Sequence, residues 1–259
     1  MNIMVCIKQV LDNASVPKLD PATGRVVTEG VETIANPFDL NALEGALRLT
    51  DVHGGEVSVI TVGNEECKTV LKLGLAMGAA HAYLVKAPDG QEQDSWSVSY
   101  LLSRAITSLG PFDLVLCGKQ AIVDDSAQVG GSIARLLNMT QVTYVEEIQE
   151  VSSESITVKR AGNSGSEIIA ARLPALLTCE KSLGEPRYPT LKRTRMANRV
   201  HIPALDCMEI GADPDRAGAL VKVQMVYAPE PRQRGELLKG EPEEITRLAV
   251  ARLVEQKII

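Results

Sequence analysis

The sequence predicts an α/β protein: a doubly wound, mainly parallel sheet with helices on both faces, a small antiparallel extension and an extended C-terminal arm. Three observations carry this reading. Over residues 1 to about 180, short runs rich in Val, Ile and Leu alternate with amphipathic helical stretches, the rhythm of parallel βαβ units. Aromatic residues make up only 3% of the chain, so the core is aliphatic, which suits helices packed on a parallel sheet. One apolar run empties into a polar stretch, Gly118–Val129, twice as long as an ordinary strand-to-helix connection of two to six residues.

The elements follow in order. Asn2–Ile7 reads as a buried first strand, and a loop from Asp12 to Gly30 carries a turn signal at Pro21-Ala22-Thr23-Gly24. Asn36-Pro37-Phe38-Asp39 introduces a helix with Leu40, Leu43 and Leu47 on one face, and Asp39, or Asn36 before it, is expected to cap its free amides. Glu56–Val62 is a second strand ending at Gly63-Asn64, Glu65–Met77 a helix closed by Gly78, and Ala82–Val85 a third strand. Ser95–Leu109 is a helix with a polar cap, Phe112–Cys117 the next strand, and Gln128–Leu137 a helix carrying Ile133, Leu136 and Leu137 inward. Val142–Gln149, Ser155–Arg160 and Glu167–Arg172 alternate like antiparallel strands between Ser/Gly-rich turns, and Leu176–Cys179 returns to a buried strand.

Doubly wound sheets bind ligands beyond the carboxyl ends of their strands. The loop after strand one, the Asn36–Asp39 turn, Val62 and the Gly118–Val129 loop are therefore expected to enclose one crevice. The long loop has groups suited to a nucleotide. Gly118 lets backbone approach closely, Gln120, Ser126 and Gln128 offer hydrogen bonds, and the following helix presents unpaired amides to a phosphate. Neither GxxxxGK[ST] nor GxGxxG occurs in the chain, so the loop suggests a nucleotide without naming one.

Composition narrows the class. A formal charge of −6 argues against a nucleic-acid binder. The cysteines Cys6, Cys67, Cys117, Cys179 and Cys207 contain no CxxC pair and read as reduced thiols, while His53, His81 and His201 lack ligand spacing, so no metal is expected. With no signal peptide, transit presequence or membrane-spanning run, the expectation is a soluble cytoplasmic protein, bacterial or archaeal, without membrane insertion.

After Glu180 the order breaks down. Glu185-Pro186-Arg187-Tyr188-Pro189 starts a segment that prolines should keep from forming a regular helix. Between Lys181 and His201 six basic side chains face one acid, a local reversal in an acidic protein that suits docking of an acidic partner, with Leu191 as an apolar anchor. Residues 203–240 read as an arm with little core of its own. Glu241–Gln256 reads as a closing helix with Ile245, Leu248, Ala249 and Leu253 on one face, suited to wrapping another subunit.

These residues also carry a resemblance. Met4-Val5-Cys6-Ile7-Lys8-Gln9-Val10, Asn36-Pro37-Phe38-Asp39, Leu75-Ala76-Met77-Gly78-Ala79, Gly118-Lys119-Gln120-Ala121-Ile122 and Leu183-Gly184-Glu185-Pro186-Arg187-Tyr188-Pro189-Thr190-Leu191 occur in the order found in the beta subunit of electron transfer flavoprotein, which the chain resembles along essentially its whole length. The resemblance implies an adenine-nucleotide-hydrolase-like fold and a heterodimer with an alpha subunit that carries most of a shared FAD site. Such a heterodimer accepts electrons from acyl-CoA or other flavin dehydrogenases and passes them to a quinone reductase or other electron-accepting oxidoreductase. The chain would be a carrier subunit without catalytic residues of its own. AMP would occupy the crevice, held by Cys6, Asn36, Pro37, Phe38, Asp39, Val62 and the run Gly118, Lys119, Gln120, Ala121, Ile122, Val123, Asp124, Asp125, Ser126, Ala127, Gln128 and Val129, with Phe38 near the flavin ring. Tyr188, Pro189, Thr190, Leu191, Lys192 and Arg193 would form the partner-recognition loop. On this reading residues 1–180 are the nucleotide-binding domain, 181–202 the recognition loop and 203–259 an arm around the alpha subunit.

Two departures keep alternatives open. Members that hold a second FAD in place of AMP and bifurcate electron pairs from NADH tend to read Gly-Asp-Thr-Ala-Gln-Val-Gly-Pro in this loop. Here Ser126-Ala127-Gln128-Val129-Gly130 matches that pattern, whereas Asp124 replaces a glycine with a bulky carboxylate and leans toward AMP. Arg193-Thr194-Arg195 also replaces a smaller stretch after the anchor, which leaves the partner open. A stand-alone adenine-nucleotide-binding module of stress-protein type shares the fold and should lack the arm.

Overall fold

The computed structural model describes residues 1–12, 18–20, 26–27, 30–88, 90–227, 235 and 237–259; the expected turn at Pro21–Gly24 lies outside them. The strands are β1 (Asn2–Cys6), β2 (Gln9–Leu11), β3 (Lys18–Leu19), β4 (Val26–Val27), β5 (Thr33–Ala35), β6 (Glu56–Gly63), β7 (His81–Lys86), β8 (Leu114–Gly118), β9 (Thr140–Val151), β10 (Ser155–Gly162), β11 (Gly165–Arg172), β12 (Ala175–Cys179) and β13 (Ala204–Leu205). The helices are α1 (Pro37–His53), α2 (Lys68–Met77), α3 (Ser95–Leu109), α4 (Val129–Leu137), α5 (Leu191–Ala197) and α6 (Pro242–Glu255). Among the described residues no helix is long and apolar enough to cross a membrane.

Nine strands form one sheet in the order β11-β10-β9-β12-β8-β1-β6-β7-β13, parallel from β9 to β13. The doubly wound fold is as the sequence predicts. Its central strands read as unbroken apolar runs because both faces are covered. In β1, Ile3 and Val5 enter a layer with Leu43 and Leu47 of α1 and Leu71 and Met77 of α2. Met4 and Cys6 point the other way, into a layer with Leu101 and Ile106 of α3 and Ile133 of α4. The antiparallel extension is not separate: β9 pairs parallel with β12 on one side and antiparallel with β10 on the other, so β10 and β11 simply lengthen the main sheet.

The chain builds outward from β1 through β6 and β7, then returns to place β8 on the opposite side of β1. The order therefore reverses between β1 and β8, and loops leaving their carboxyl ends diverge to open a crevice.

The arm expectation needs correction for residues 203 to 221. β13 extends the sheet edge beside β7, and Ile210, Ala212 and Ala217 are buried in the α3–α4 layer. Polar ties do the rest. Asp213 N donates to Tyr100 Oη at 2.9 Å, Arg104 Nε to Gly211 O at 3.0 Å and Trp96 Nε1 to Arg216 O at 3.2 Å. The Arg216 guanidinium lies 4.8 Å from the Tyr100 ring centroid and 5.6 Å from that of Trp96, over two rings that stack at 6.1 Å. Beyond Val221 the described arm is mostly exposed, with Val226 and Leu238 half-buried, and α6 has no buried residue.

Two adjacent glycines at the start of α4 differ sharply in surroundings. A Cβ on Gly130 would lie 2.6 Å from Thr178 Cγ2, and Thr178 is held because its Oγ1 accepts from Tyr144 N at 3.1 Å. On Gly131 the nearest atom would be Gln141 Oε1 at 3.4 Å, the end of a long side chain. In urea unfolding, Gly130→Ala should therefore destabilise by about 1–3 kcal/mol. Gly131→Ala should be neutral or stabilise by up to about 1 kcal/mol through helix propensity; equal effects would contradict this packing.

Candidate functional site

The carboxyl ends of β1, β6 and β8 and the loops that follow them meet around a crevice of about 560 Å³. Its floor is Cys6, Ile60, Thr61, Val62 and Cys117, and one wall is Lys8, Asn36, Asp39 and the long loop. A wider groove of about 650 Å³ lies between α1 and strands β9 and β10, lined by Arg48, His53, Glu146 and Lys159, away from the strand ends that meet at the order reversal.

Asp39 organises the crevice. Its Oδ2 accepts from Lys8 N at 2.8 Å, the amide leading out of β1, and its Oδ1 accepts from Gly118 N at 2.9 Å, at the end of β8. Burial pushes its carboxyl up to about 6, against the lowering pull of those two amides, Asn36 and Lys8. The capping expectation is thus corrected. Asn36 occupies the N-cap of α1, but its side chain makes no cap bond; Nδ2 donates to Gln120 O at 2.9 Å and Oδ1 accepts from Ile122 N at 3.3 Å. Both side chains of the Asn36–Asp39 turn are drawn away from α1 to hold other segments.

Gly118 lines the crevice, and its missing side chain also serves the fold. A Cβ there would meet Asp39 Oδ1 at 2.5 Å, Phe38 Cβ at 2.6 Å and Asp39 N at 2.8 Å. The absent side chain admits the first turn of α1 as its neighbour. Past Gly118, the loop folds on itself: Asp125 N donates to Ala121 O, Ser126 N to Asp124 Oδ1 at 3.3 Å, and Gln120 Nε2 to Asp125 Oδ1 at 2.6 Å. Asp125 and Ala127 sit at φ of +50° and +53°, a left-handed conformation that costs non-glycine residues about 1 kcal/mol each. Gln128 makes no side-chain cap, so the first amides of α4 receive no side-chain cap from it.

Of the residues singled out from sequence, Cys6, Asn36, Asp39, Val62, Gly118–Ala121, Asp124 and Ser126–Val129 line the crevice. Pro37, Phe38, Ile122, Val123 and Asp125 do not. Phe38 is buried instead, with the ammonium groups of Lys119 and Lys181 each 5.1 Å from its ring centroid and Lys119 paired to Glu180 at 2.9 Å. Asp124 turns its carboxylate to Lys8 Nζ at 3.3 Å. The Cys117 thiol is pushed well up by its hydrogen bond with Cys6 and by burial, and burial also raises Cys67, so both stay protonated.

The wall formed by Gln93, Asp94, Ser95, Val98 and Leu102 was missed. Its sequence signal is the capping box Asp94-x-x-Ser97, in which Asp94 Oδ1 accepts from Ser97 N and Ser97 Oγ accepts from Asp94 N, both at 2.9 Å. Asp94 Oδ2 also accepts from Leu220 N at 2.8 Å and Val221 N at 3.0 Å, tying the arm to the crevice wall. Burial pushes this carboxyl up, but the amides together outweigh it and hold it below its ordinary value.

In the basic segment the prolines end at Pro189, and α5 begins directly afterwards, contrary to the expectation of an irregular stretch. Thr190 caps it, its side chain accepting from Arg193 N at 3.3 Å. Two of the basic groups serve the fold. Arg187 Nε and Nη2 donate to the buried Glu44 at 2.8 and 3.2 Å, and Arg193 Nη1 donates to Met77 O at 3.0 Å at the end of α2. Tyr188 at 93% and Leu191 at 68% exposure project from this anchored segment, with Lys192 beside them.

The model of the electron transfer flavoprotein domain matches residues 23–206. An electron transfer flavoprotein subunit beta from Megasphaera elsdenii is 40% identical, and one from Thermoanaerobacterium thermosaccharolyticum 38% identical, both over the whole of each chain. The caffeyl-CoA reductase-Etf complex subunit CarD of Acetobacterium woodii is 39% identical, again over both whole chains.

The burial of Asp39 has a pH signature. Between the ordinary value of 3.8 and about 6 the folded state holds the proton more tightly than the unfolded state, so the contribution of Asp39 to stability falls as pH rises through that window. Urea unfolding of wild type and Asp39→Asn should show the wild-type advantage shrinking by about 2 kcal/mol between about pH 4 and pH 7. A difference that stays flat or grows would contradict the buried, unpaired-charge account of this carboxylate.

Proposed function

The chain belongs to the electron transfer flavoprotein family, and we propose that it is the beta subunit of a heterodimer that accepts electrons from a flavin dehydrogenase, such as an acyl-CoA dehydrogenase, and passes them to a quinone reductase or another acceptor. The observation that carries the reading is a nucleotide-sized crevice at the order reversal of a chain similar over its whole length to beta subunits. AMP fits its chemistry. Ile60, Val62, Val98 and Leu102 supply apolar surface for a base, while the 118–129 backbone and the start of α4 supply amides for a phosphate.

The FAD is shared with an alpha subunit, and it is the flavin that takes up and releases electrons. What this chain brings to the edge beside Phe38 is positive charge, from Lys119 and Lys181. The arm beyond Val221 and the uncovered face of α6, with Leu248, Val250, Leu253 and Val254 exposed, suit an alpha subunit wrapped by this segment.

A second reading places another FAD in the crevice, with NADH as donor. It is favoured by the Ser126-Ala127-Gln128-Val129-Gly130 run, and the charge of Asp124 that weighs against it is paired with Lys8 at 3.3 Å. Denaturing the heterodimer and counting released cofactors separates the two. One FAD and one AMP are expected; two FAD and no AMP would transfer the assignment to the second reading. A chain that without any partner held stoichiometric FAD and exchanged electrons would remove both.

Docking is tested at Leu191, which in the described fold has little apolar surface to cover it. Leu191→Ala should leave FAD content unchanged and cost about 2 kcal/mol of docking, roughly a 30-fold rise in half-saturating dehydrogenase concentration. Lys192 should act mainly on the association rate and its salt dependence. Stopped-flow reduction by the dehydrogenase reads both; an unchanged half-saturation for Leu191→Ala would place docking elsewhere.

A further inference from the structure

Two opposite charges meet on the wall of the crevice. Lys8 and Asp124 both border it, and Lys8 Nζ donates to Asp124 Oδ2 at 3.3 Å. The second carboxylate oxygen is engaged as well, since Oδ1 accepts from Ser126 N at 3.3 Å. An ammonium and a loop amide are donors that suit the oxygens of a phosphate. Here a carboxylate of the chain itself holds both. The side chains of Lys8 and Asp124 are 51% and 48% exposed, and an ion pair so open to water adds little to stability. The needs of the fold do not account for it.

The other charges that border the crevice are already committed. Lys119 is paired with Glu180 at 2.9 Å. Asp39 accepts from Lys8 N and Gly118 N, and Asp94 from the amides of Ser97, Leu220 and Val221. Because its own amide is held by Asp39, Lys8 is fixed at its root, and its ammonium reaches the 118–129 loop at Asp124. A ligand with one phosphate can be met by amides of the loop and of α4. A second phosphate would bring more negative charge to a wall whose cation is already neutralised, and would face the Asp124 carboxylate.

We infer that Asp124 is a built-in anion standing where a second phosphate would bind, and that with Lys8 it restricts the crevice to nucleotides carrying a single phosphate. The inference rests on the reading of the crevice as an adenine-nucleotide site and adds the charge that its ligand carries. It disfavours ADP and the pyrophosphate of an FAD alike.

Titration calorimetry with AMP and ADP, on heterodimer freed of its crevice nucleotide, tests this. The wild type should bind AMP about tenfold more tightly than ADP. Asp124→Ala frees the ammonium and the amide, and should raise the affinity for ADP relative to AMP by about tenfold or more, so that the preference disappears. Adding Lys8→Met to Asp124→Ala should then cost ADP about tenfold more than it costs AMP. The wild-type pair of titrations needs no variant and stands even if a variant does not fold. Equal binding of AMP and ADP by wild type, a preference for AMP that survives in Asp124→Ala, or a Lys8→Met loss of equal size for both ligands overturns the inference and leaves the adenine-nucleotide reading standing. If neither ligand binds wild type, that reading falls and the inference falls with it.

Discussion

Where β1 and β8 part, the amides that lead out of the two strands, Lys8 N and Gly118 N, both donate to one carboxylate, that of Asp39. Strand amides at such a divergence lose their ladder partners, and buried amides left alone would cost about 1–3 kcal/mol each. A single carboxylate with two acceptor oxygens answers both. It does so only if the first turn of α1 presses against the end of β8, which requires a glycine at 118. Asn36, three residues earlier, then clamps the backbone of Gln120 and Ile122. The long loop therefore starts from a fixed point, and the crevice has a defined mouth. Burying a charge works against folding, and the raised proton affinity of Asp39 is the measure of that opposition.

The other wall depends on a second carboxylate with two duties. Asp94 closes the capping box of α3 and also receives the amides of Leu220 and Val221. The point where the C-terminal arm leaves the body is thus fixed by a residue that lines the crevice. On the far side, Glu44 holds Arg187 and Arg48, and through them the segment that presents Tyr188 and Leu191. Burial raises the Glu44 carboxyl, but the arginines outweigh it and keep it ionised. Segments proposed to meet other proteins are anchored at their roots and exposed beyond them. A boundary at residue 203 is blurred on this account, since the chain stays bound to α3 as far as Val221.

Much of this was legible in the sequence, for physical reasons. Strands covered on both faces become continuous apolar runs, which is why β1, β6, β8 and β12 could be read. The 118–129 loop stood out by length alone, and most of its residues do line the crevice. What escaped notice depends on contacts between distant residues. Asp39 looked like a cap because the amides it binds lie 31 and 79 positions away. The parallel pairing of β9 with β12 left no trace in a strand whose alternation shows only one buried face. Residues 203–221 looked coreless because, Ile210 apart, their attachment relies on small residues, polar ties and the Arg216 stack rather than on large apolar side chains.

The central claim is that the crevice between β1 and β8, shaped by Asp39, holds an adenine nucleotide. Photolabelling of the heterodimer with 8-azido-AMP, followed by peptide mapping, tests it most directly. The label is predicted on peptides containing residues 60–63, 93–102 or 117–130, the walls of the crevice, and unlabelled AMP should suppress it. Labelling confined to the partner subunit, or to the groove between α1 and strands β9 and β10, would contradict it.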